Sequence, residues 1–356
     1  MPKTAATTAT RDRQAARRAG LVYASDTAPG IARVRSGKGF AYRRARGAAV
    51  RDARTLERIR KLAIPPAYTD VWINPDARGH IQATGRDARG RKQYRYHADW
   101  SAERDGGKFD RAVAFGAAMP RLRRRVRADL KAAGVPRDKV LALVVAVLAE
   151  TMIRIGNEGY ARDNRSFGLT TLRDRHVRFD RAGAHFSFDG KSGQKHDVAL
   201  ADRRLVKLVR ACQQLPGQTL FQYRDQDGKR QPVGSAMVNA YLREAMGDEF
   251  SAKDLRTWAG TLAAFWLCAK TPLPGAREGR DAASERALSS TEKDVCKSVA
   301  HLLGNTPAVC RKAYIDPSVF AGWRDGRVQR AAKGATGARQ WEQATLRFLK
   351  AAHRAK

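Results

Sequence analysis

Acidic residues are scarce in this sequence. Its 356 residues include 35 Asp and Glu against 69 Lys and Arg, so the formal charge is +34 with histidine neutral. That balance excludes an average soluble enzyme, because so much positive charge repels itself unless a polyanion neutralises it. With 43% hydrophobic residues the chain can still bury sizeable cores. DNA, RNA and an anionic membrane surface are therefore the candidate partners, and nucleic acid is favoured.

Long hydrophobic runs are also missing. The longest, Val140 to Ala149, ends at Glu150 and is far shorter than the roughly 20 residues needed to cross a bilayer. The sequence therefore predicts no membrane span. Before Asp12 there is no apolar segment of the kind found in secretory signals, although an Arg-rich transit peptide stays open. We expect a cytoplasmic protein at the nucleoid.

Cysteine is rare and histidine is dispersed. The four cysteines show no Cys-x-x-Cys spacing, and the seven histidines form no His-Glu-x-x-His motif or Cys/His cluster. A Walker-type phosphate loop is absent as well. The sequence therefore predicts reduced core thiols and gives no support for a metal site; the cysteines are Cys212, Cys268, Cys296 and Cys310.

Composition and periodicity divide the chain into three segments. Residues 1–28 are rich in Ala, Thr and Arg with little apolar periodicity, which predicts a disordered basic arm. Residues 29–102 contain short alternating stretches separated by Gly, Pro or Asp, and one helical stretch that stops at Pro65-Pro66. They predict a small mixed β/α domain. The stretch Ser101 to Lys108, with Gly106-Gly107, predicts the boundary.

The remaining residues, 108–356, predict a larger, mainly α-helical domain. Lys139 to Ile153 is apolar nearly all round and therefore predicts a buried helix. Thr170 to Leu200 switches to period two, with turns at Gly183 and at Gly190 to Gly193, which predicts a three-stranded meander. The fold class is thus α+β, with a small antiparallel sheet inserted in the helical domain. Further helices are predicted at 202–214, 235–246, 252–268, 284–303, 307–314 and 340–353.

A series of motifs follows the buried helix in a fixed order. Arg154-Ile155-Gly156-Asn157-Glu158-Gly159-Tyr160 leads on to Asn164 to Leu172 and His176-Val177. Next come Gly190-Lys191, the segment Lys253 to Thr257, and Gly304-Asn305-Thr306-Pro307 ahead of Arg311-Lys312-Ala313-Tyr314. This order resembles the type IB DNA topoisomerases over roughly residues 30 to 345. The chain size suggests the compact poxvirus-like and bacterial branch.

The resemblance implies a catalytic set consisting of Tyr314 as the nucleophile, Lys191 as the general acid, and Arg154, Arg256 and Asn305 as phosphate ligands. The residue types suit a phosphodiester transition state, because preorganised cationic forks stabilise charge on the non-bridging oxygens. No cofactor and no metal are implied. Taken singly, Arg154 could extend from a helix end, Tyr314 pack in a core, Lys191 sit in a solvated turn and Asn305 cap a helix.

Asn305 departs from the best-known pattern of that family. Nuclear and poxvirus members carry His at this place, nine residues before the tyrosine, whereas bacterial relatives resemble this chain. Asn keeps a neutral N–H donor but cannot be a cation or a proton carrier. We expect a working substitute that lowers the rate without abolishing it.

The resemblance also implies that the small domain binds double-stranded DNA and that the protein is a monomer clamped around the duplex. Gln93, Tyr94 and Tyr96 match positions that touch DNA near the cleavage site, although the two tyrosines could merely fill one face of a strand. Phosphate contacts, or a solvated basic loop, are expected of Arg86, Arg89, Arg91 and Lys92.

The implied function is relaxation of positive and negative supercoils through a 3′-phosphotyrosine, without ATP or metal. A tyrosine recombinase shares the helical catalytic domain, but its second motif is His-x-x-Arg, whereas Lys253 stands three residues before Arg256 here. A non-catalytic DNA-coating protein would need the charge but not Tyr314. An RNA-processing role stays open from charge alone, and the motifs favour DNA.

Overall fold

The structure, a computed structural model, describes residues 3–247, 250–274 and 284–355. The chain divides into two units, residues 1–108 and 109–356. Each unit has a hydrophobic core of its own.

The first unit is built on one five-stranded antiparallel sheet of order β2-β1-β3-β4-β5. Its core includes Ile31, Ile59 and Ile73, each at most 3% exposed. Helix α2 begins where it does because the Asp52 carboxylate accepts a hydrogen bond from the Thr55 N–H at 2.8 Å. The elements are α1 (Lys3–Arg18), β1 (Ile31–Ser36), β2 (Gly39–Arg44), α2 (Ala53–Lys61), β3 (Thr69–Ile73), β4 (Ile81–Arg86) and β5 (Lys92–Tyr96).

The first 28 residues differ from the expected disordered arm. Residues 3–18 form helix α1, and Ala15, Ala16 and Leu21 are buried with Trp100 in a small cluster. Val22 then forms a parallel bridge to Gly79 in the same unit. The apolar face of this helix consists mainly of alanines, which pack closely without producing a strong hydrophobic pattern in the sequence.

The two units divide at the end of the predicted boundary segment, Ser101 to Lys108, and this segment is helical. Helix α3 (Ala98–Asp129) runs through Ser101 to Lys108, and nothing would lie within 4 Å of a Cβ placed on Gly106 or Gly107. Each interior glycine costs a helix about 1 kcal/mol, which the long flanking helical sequence offsets. The division between the units therefore falls within a continuous helix, after Lys108.

The second unit is mainly helical, as the sequence predicts. Its helices are α4 (Arg137–Thr151), α5 (Glu158–Asn164), α6 (Arg203–Gln213), α7 (Ser235–Met246), α8 (Ala252–Lys270), α9 (Glu285–Leu303), α10 (Pro307–Ala313), α11 (Pro317–Arg324), α12 (Arg327–Ala332) and α13 (Ala338–Arg354). The predicted meander is present as β6 (Val177–Phe179), β7 (Ala184–Asp189) and β8 (Lys195–Leu200). A hairpin of β9 (Gln222–Arg224) and β10 (Arg230–Pro232) was not predicted, nor were α5, α11 and α12.

Helix α4 forms the centre of this unit. Residues 140–145, 147 and 148 are each at most 2% exposed, which confirms the prediction of a helix buried on every side. The four cysteines are free and buried, as expected of core thiols. Among the described residues, no helix combines the length and apolar character that a membrane span requires.

Candidate active site

Arg154 lies on a loop that is held by backbone pairing. Helix α4 ends at Thr151, and the capping residue Met152 has a left-handed φ of 54° and turns the chain. The Leu169 N–H then donates to the Arg154 carbonyl at 2.8 Å, and the Thr170 N–H donates to the Ile155 carbonyl at 2.8 Å. The two halves of the sequence motif are therefore paired backbones that fix the position of Arg154.

The pairing depends on the glycine at position 168. A Cβ placed there would lie 2.5 Å from the Gly156 backbone N and Cα and 2.6 Å from the Arg154 carbonyl oxygen. No side chain fits in that space, so the two strands of the loop approach as closely as they do only because residue 168 has no Cβ.

The Arg154 guanidinium connects this loop to Asn305. Its Nη2 donates to the Gly304 carbonyl oxygen at 2.8 Å and to Asn305 Oδ1. Because an arginine can only donate, the Asn305 amide must turn its oxygen toward Arg154 and direct its NH₂ group elsewhere. Asn305 is not the cap of α10. That position is held by its neighbour Thr306, whose side chain accepts a hydrogen bond from the Val309 N–H.

Arg256 is buried at 3% exposure and joins the ends of two helices. Its Nη1 donates to the Met152 carbonyl, just past α4, and its Nη2 donates to the Leu303 carbonyl at the end of α9, at 2.6 Å. Carbonyl groups at helix C-termini lack intrahelical partners and carry partial negative charge, so a cation is favourable there. The two bonds lock the guanidinium beside Arg154.

Tyr314 lies next to Arg256 at the end of α10. The Arg256 Cζ is 5.5 Å from the centre of the Tyr314 ring, and the tyrosine is partly exposed. The Thr261 hydroxyl of α8 donates to the Tyr314 carbonyl at 3.1 Å and accepts from the Asp316 N–H at 3.2 Å. Helix α8 therefore holds both the arginine and the backbone of the tyrosine.

Three buried N–H groups of this cluster have no hydrogen-bond partner. They belong to Arg154 Nη1, Arg256 Nε and Asn305 Nδ2. Buried donors are normally satisfied, so a group of them at one place indicates a ligand with several acceptor oxygens. A phosphate has that chemistry.

Burial and mutual repulsion lower the pKa values of the two arginines in this cluster. Burial lowers the pKa of Arg154, and it lowers the pKa of Arg256 with a further contribution from the positive charge of Arg154. An arginine stays protonated all the same. Nearby, burial raises the pKa of the Cys310 thiol to about 11, so this thiol is neutral and supplies no compensating negative charge.

A buried carboxylate anchors the helix that carries Tyr314. Glu292 of α9 is 2% exposed and accepts from Arg311 Nη2 of α10 at 2.6 Å and from Arg324 Nε of α11 at 2.6 Å. Arg324 also pairs with Glu285 at 2.7 Å. The charged network ties α10 to the helices on both sides of it.

Lys191 is placed apart from these groups. It is exposed, in the turn between β7 and β8, where the Gly190 N–H donates to the Gln194 carbonyl at 2.8 Å. The Asp189 carbonyl accepts from the Phe167 N–H at 2.8 Å, which ties this hairpin to the loop that follows Arg154. The structure thus gathers Arg154, Arg256, Asn305 and Tyr314, but it shows no contact between them and the lysine.

In the first unit, the basic turn between β4 and β5 is organised by Asp87. The Asp87 carboxylate accepts from Arg91 Nε at 2.8 Å and from Gln93 Nε2 at 2.9 Å, and also from the backbone N–H groups of residues 89 and 91. The hydrogen bond from Arg91 is the main cause that lowers the pKa of Asp87 to about 2. Arg91 and Gln93, two of the predicted DNA contacts, are therefore held by Asp87 within the protein.

The other predicted contacts lie on the surface of the same turn and strand. Tyr94 and Tyr96 are 43% and 46% exposed, and their rings stack at 5.9 Å, so they do not fill a buried face. Lys92 pairs with Asp26 at 2.5 Å, Arg86 pairs with Asp70 at 3.3 Å, and Arg89 is exposed.

The sequence analysis missed Asp87, Glu292 and His196. Asp87 lies between Arg86 and Arg89, where an acidic residue among basic ones indicates an organised turn. Glu292 carries no local signal, because its two arginine partners lie 19 and 32 residues away. His196 lies beside the Arg154–Asn305 cluster, against the backbone of Gly304.

Comparison with known proteins gives consistent matches. The sequence model of the eukaryotic DNA topoisomerase I catalytic core matches residues 93–322, and that of the bacterial DNA topoisomerase IB N-terminal domain matches residues 39–87. The chain is 33% identical over 290 residues to DNA topoisomerase 1B of Acanthamoeba polyphaga mimivirus, covering 80% of this chain and 85% of that protein. It is 24% identical over 283 residues to DNA topoisomerase 1B of Vaccinia virus (strain Copenhagen), covering 76% and 82%.

Proposed function

Because this chain belongs to the type IB DNA topoisomerase family, and is therefore an isomerase that acts on DNA, we propose that it relaxes positive and negative supercoils through a transient 3′-phosphotyrosine at Tyr314. The observation that carries the proposal is the group of unpartnered N–H donors on Arg154, Arg256 and Asn305 beside that tyrosine. Strand cleavage then needs neither ATP nor a divalent cation.

The two arginines stabilise the reacting phosphate. As the tyrosine oxygen approaches phosphorus, negative charge concentrates on the non-bridging oxygens, and N–H donors that are already oriented stabilise this charge most. Arg256 is held by two helix-end carbonyls and Arg154 by the Gly304 carbonyl, so little reorganisation accompanies the reaction. The Asn305 NH₂ group adds a neutral donor.

Tyr314 supplies the nucleophile. Its hydroxyl loses a proton to water, a bond forms between Tyr314 Oη and phosphorus, and the bond from phosphorus to the 5′-oxygen of the next nucleotide breaks. The positive charges of Arg154 and Arg256 favour the phenolate that this step requires. The phosphodiester energy is kept in the phosphotyrosine, so the reverse attack by the 5′-hydroxyl reseals the strand without ATP.

Lys191 supplies the proton that the departing 5′-oxygen takes up. An alkoxide is a poor leaving group, and a positioned general acid commonly contributes ~10²–10⁴-fold to the rate. Its exposed place on a hairpin turn gives the ammonium group access to bound DNA. In resealing, the neutral lysine takes the proton back.

The first unit contributes duplex binding. The stacked Tyr94 and Tyr96 present exposed hydroxyls and ring edges, and Arg89 presents an exposed charge. Arg91 and Gln93 reach DNA while Asp87 fixes their direction. These groups bind phosphates and base edges, and the protein works as a monomer.

A relaxation assay tests the proposal. Positively and negatively supercoiled plasmids are each incubated with the protein in EDTA and without ATP, beside the matched variant Tyr314→Phe. We expect both plasmids to relax with the natural protein and neither with the variant, because a duplex held by one covalent link rotates in either direction. A requirement for Mg²⁺, or activity on negative supercoils alone, would contradict the mechanism. Binding without relaxation by both proteins would indicate a DNA-coating role instead.

A further inference from the structure

His196 of β8 lies between two segments of the proposed active site. A Cβ placed on Gly304 would be 2.4 Å from His196 Cε1, and one placed on Gly190 would be 2.5 Å from His196 Cδ2. The imidazole therefore rests directly on both glycine backbones. One of these glycines precedes Lys191 and the other precedes Asn305.

A ring stack fixes the orientation of the imidazole. His196 pairs in register with Phe188 on β7, and the two rings are 5.0 Å apart with an interplanar angle of 12°. Phe188 is 8% exposed and belongs to the core of the second unit. The imidazole is thus connected to the core on one side and to the two loops at its edges.

The surroundings of the ring keep it neutral. Burial lowers the pKa of His196, and the positive charges of Arg154 and Arg256 lower it further. Within the described residues its ring nitrogens have no hydrogen-bond partner. The neutral ring is packed against Gly190, Gly304 and Phe188. We therefore infer that it acts by steric contact, with no role for its charge or its hydrogen bonds.

We propose that His196 is a positioning residue that seats the Gly190–Lys191 turn against the Gly304–Asn305 loop, and so holds Lys191 where it can protonate the leaving 5′-oxygen. The inference rests on the proposed function, because it assigns His196 a role in the same reaction. The proposed role also explains how Lys191, which does not contact the arginine cluster, is held at a fixed position relative to that cluster.

The test compares two DNA substrates in single-turnover cleavage. One is an ordinary strand, and the other carries a 5′-bridging phosphorothiolate, whose thiolate leaves without a proton. His196→Ala should cleave the ordinary strand about 10- to 100-fold more slowly, since a misplacement near 1 Å can cost about that much. The phosphorothiolate should restore most of the lost rate, as it should for Lys191→Ala.

Two further variants separate positioning from loss of folding. His196→Phe keeps a flat ring of similar size and should restore most of the rate. Gly190→Ala has no positive φ to strain it, but its Cβ would displace the imidazole, so it should reproduce the defect. The double variant Gly190→Ala/His196→Ala should be no slower than His196→Ala, because the clash is gone.

His185→Ala is the matched control, since it truncates a histidine of the same sheet that pairs with Asp180. It should cleave both substrates like the natural protein. Normal cleavage by His196→Ala, or an equal defect on both substrates while Lys191→Ala is rescued, would overturn the inference and leave the proposed function intact. Failure of the natural protein to cut either substrate would overturn both.

Discussion

Gly260 decides how closely Tyr314 packs against α8. A Cβ at this position would lie 2.8 Å from the Tyr314 carbonyl oxygen, 3.1 Å from the Tyr314 Cβ and 3.1 Å from Leu303 Cδ1. Two of these three neighbours are atoms of Tyr314, the proposed nucleophile, so Gly260→Ala should push the tyrosine away from α8 by a few tenths of an ångström. The Tyr314 carbonyl accepts a hydrogen bond from the hydroxyl of Thr261, the residue that follows Gly260 in α8. This bond limits any other movement of the tyrosine backbone.

Stability should change little. Overpacking of a buried site costs about 1–3 kcal/mol, and replacing glycine by alanine within a helix returns about 1 kcal/mol. The net loss is then about 0–2 kcal/mol, or at most about 8 °C in melting temperature for a unit of this size. The cleavage rate should fall about 3- to 10-fold, because a misplacement near 1 Å can cost about 100-fold and the proposed nucleophile moves by a few tenths of that distance.

The assay is single-turnover formation of the covalent complex with excess protein, together with DNA affinity and urea unfolding. Two alanine variants serve as controls. Gly107→Ala meets nothing within 4 Å, so it should keep the natural cleavage rate and gain about 1 kcal/mol of stability at most, whereas Gly322→Ala would approach Phe348 Cζ at 2.4 Å, away from the site. The latter should lose stability and keep its cleavage rate. A natural cleavage rate in Gly260→Ala, or an equal loss in Gly322→Ala, would refute the reasoning.

Four other outcomes are expected. Lys191→Ala should slow cleavage of an ordinary strand by ~10²–10⁴-fold and recover on a 5′-bridging phosphorothiolate; equal defects would show that the lysine only positions DNA. Glu292→Gln should lower the free energy of unfolding by about 2 kcal/mol, because it weakens hydrogen bonds to two charged groups. Glu285→Gln, at an exposed pair, should change it little in the same urea titration. Burial lowers the pKa of His176 below the ordinary value, so the unfolded chain binds more protons and stability falls as the pH drops below about 6.5; this slope should be shallower in His176→Gln. Arg89→Ala should weaken DNA binding and reduce the slope of log affinity against log salt by about 1, and an unchanged slope would remove it from the phosphate contacts.

The second unit followed from its sequence more completely than the first. Helix α4 is buried on all sides, so its ten apolar residues in succession allow only one interpretation. Helix α1 packs through Ala15 and Ala16, together with Leu21 just beyond its end, against Trp100, which is about 80 residues further along the chain. An alanine-rich basic sequence has the same composition whether it is a disordered arm or a packed helix. Only the tertiary contact with Trp100 distinguishes these two states.

The candidate site was predictable as a set of residues but not as an arrangement. The order of the motifs indicated Arg154, Arg256 and Tyr314, yet nothing local shows that Arg256 joins the ends of α4 and α9. The same limit applies to His196, whose position depends on two glycines 114 residues apart. Such contacts form only when turns that are distant in sequence meet in the fold, so short-range sequence patterns do not predict them.

The unpartnered N–H groups on Arg154, Arg256 and Asn305 bear on how this protein can evolve. A buried donor without an acceptor costs about 1–3 kcal/mol in the free protein, and the two guanidinium groups repel each other. Selection for thermal stability and selection for strand cleavage therefore act on the same atoms in opposite directions. A library screened for heat resistance alone would be enriched in substitutions at these positions, and its most stable members would be inactive.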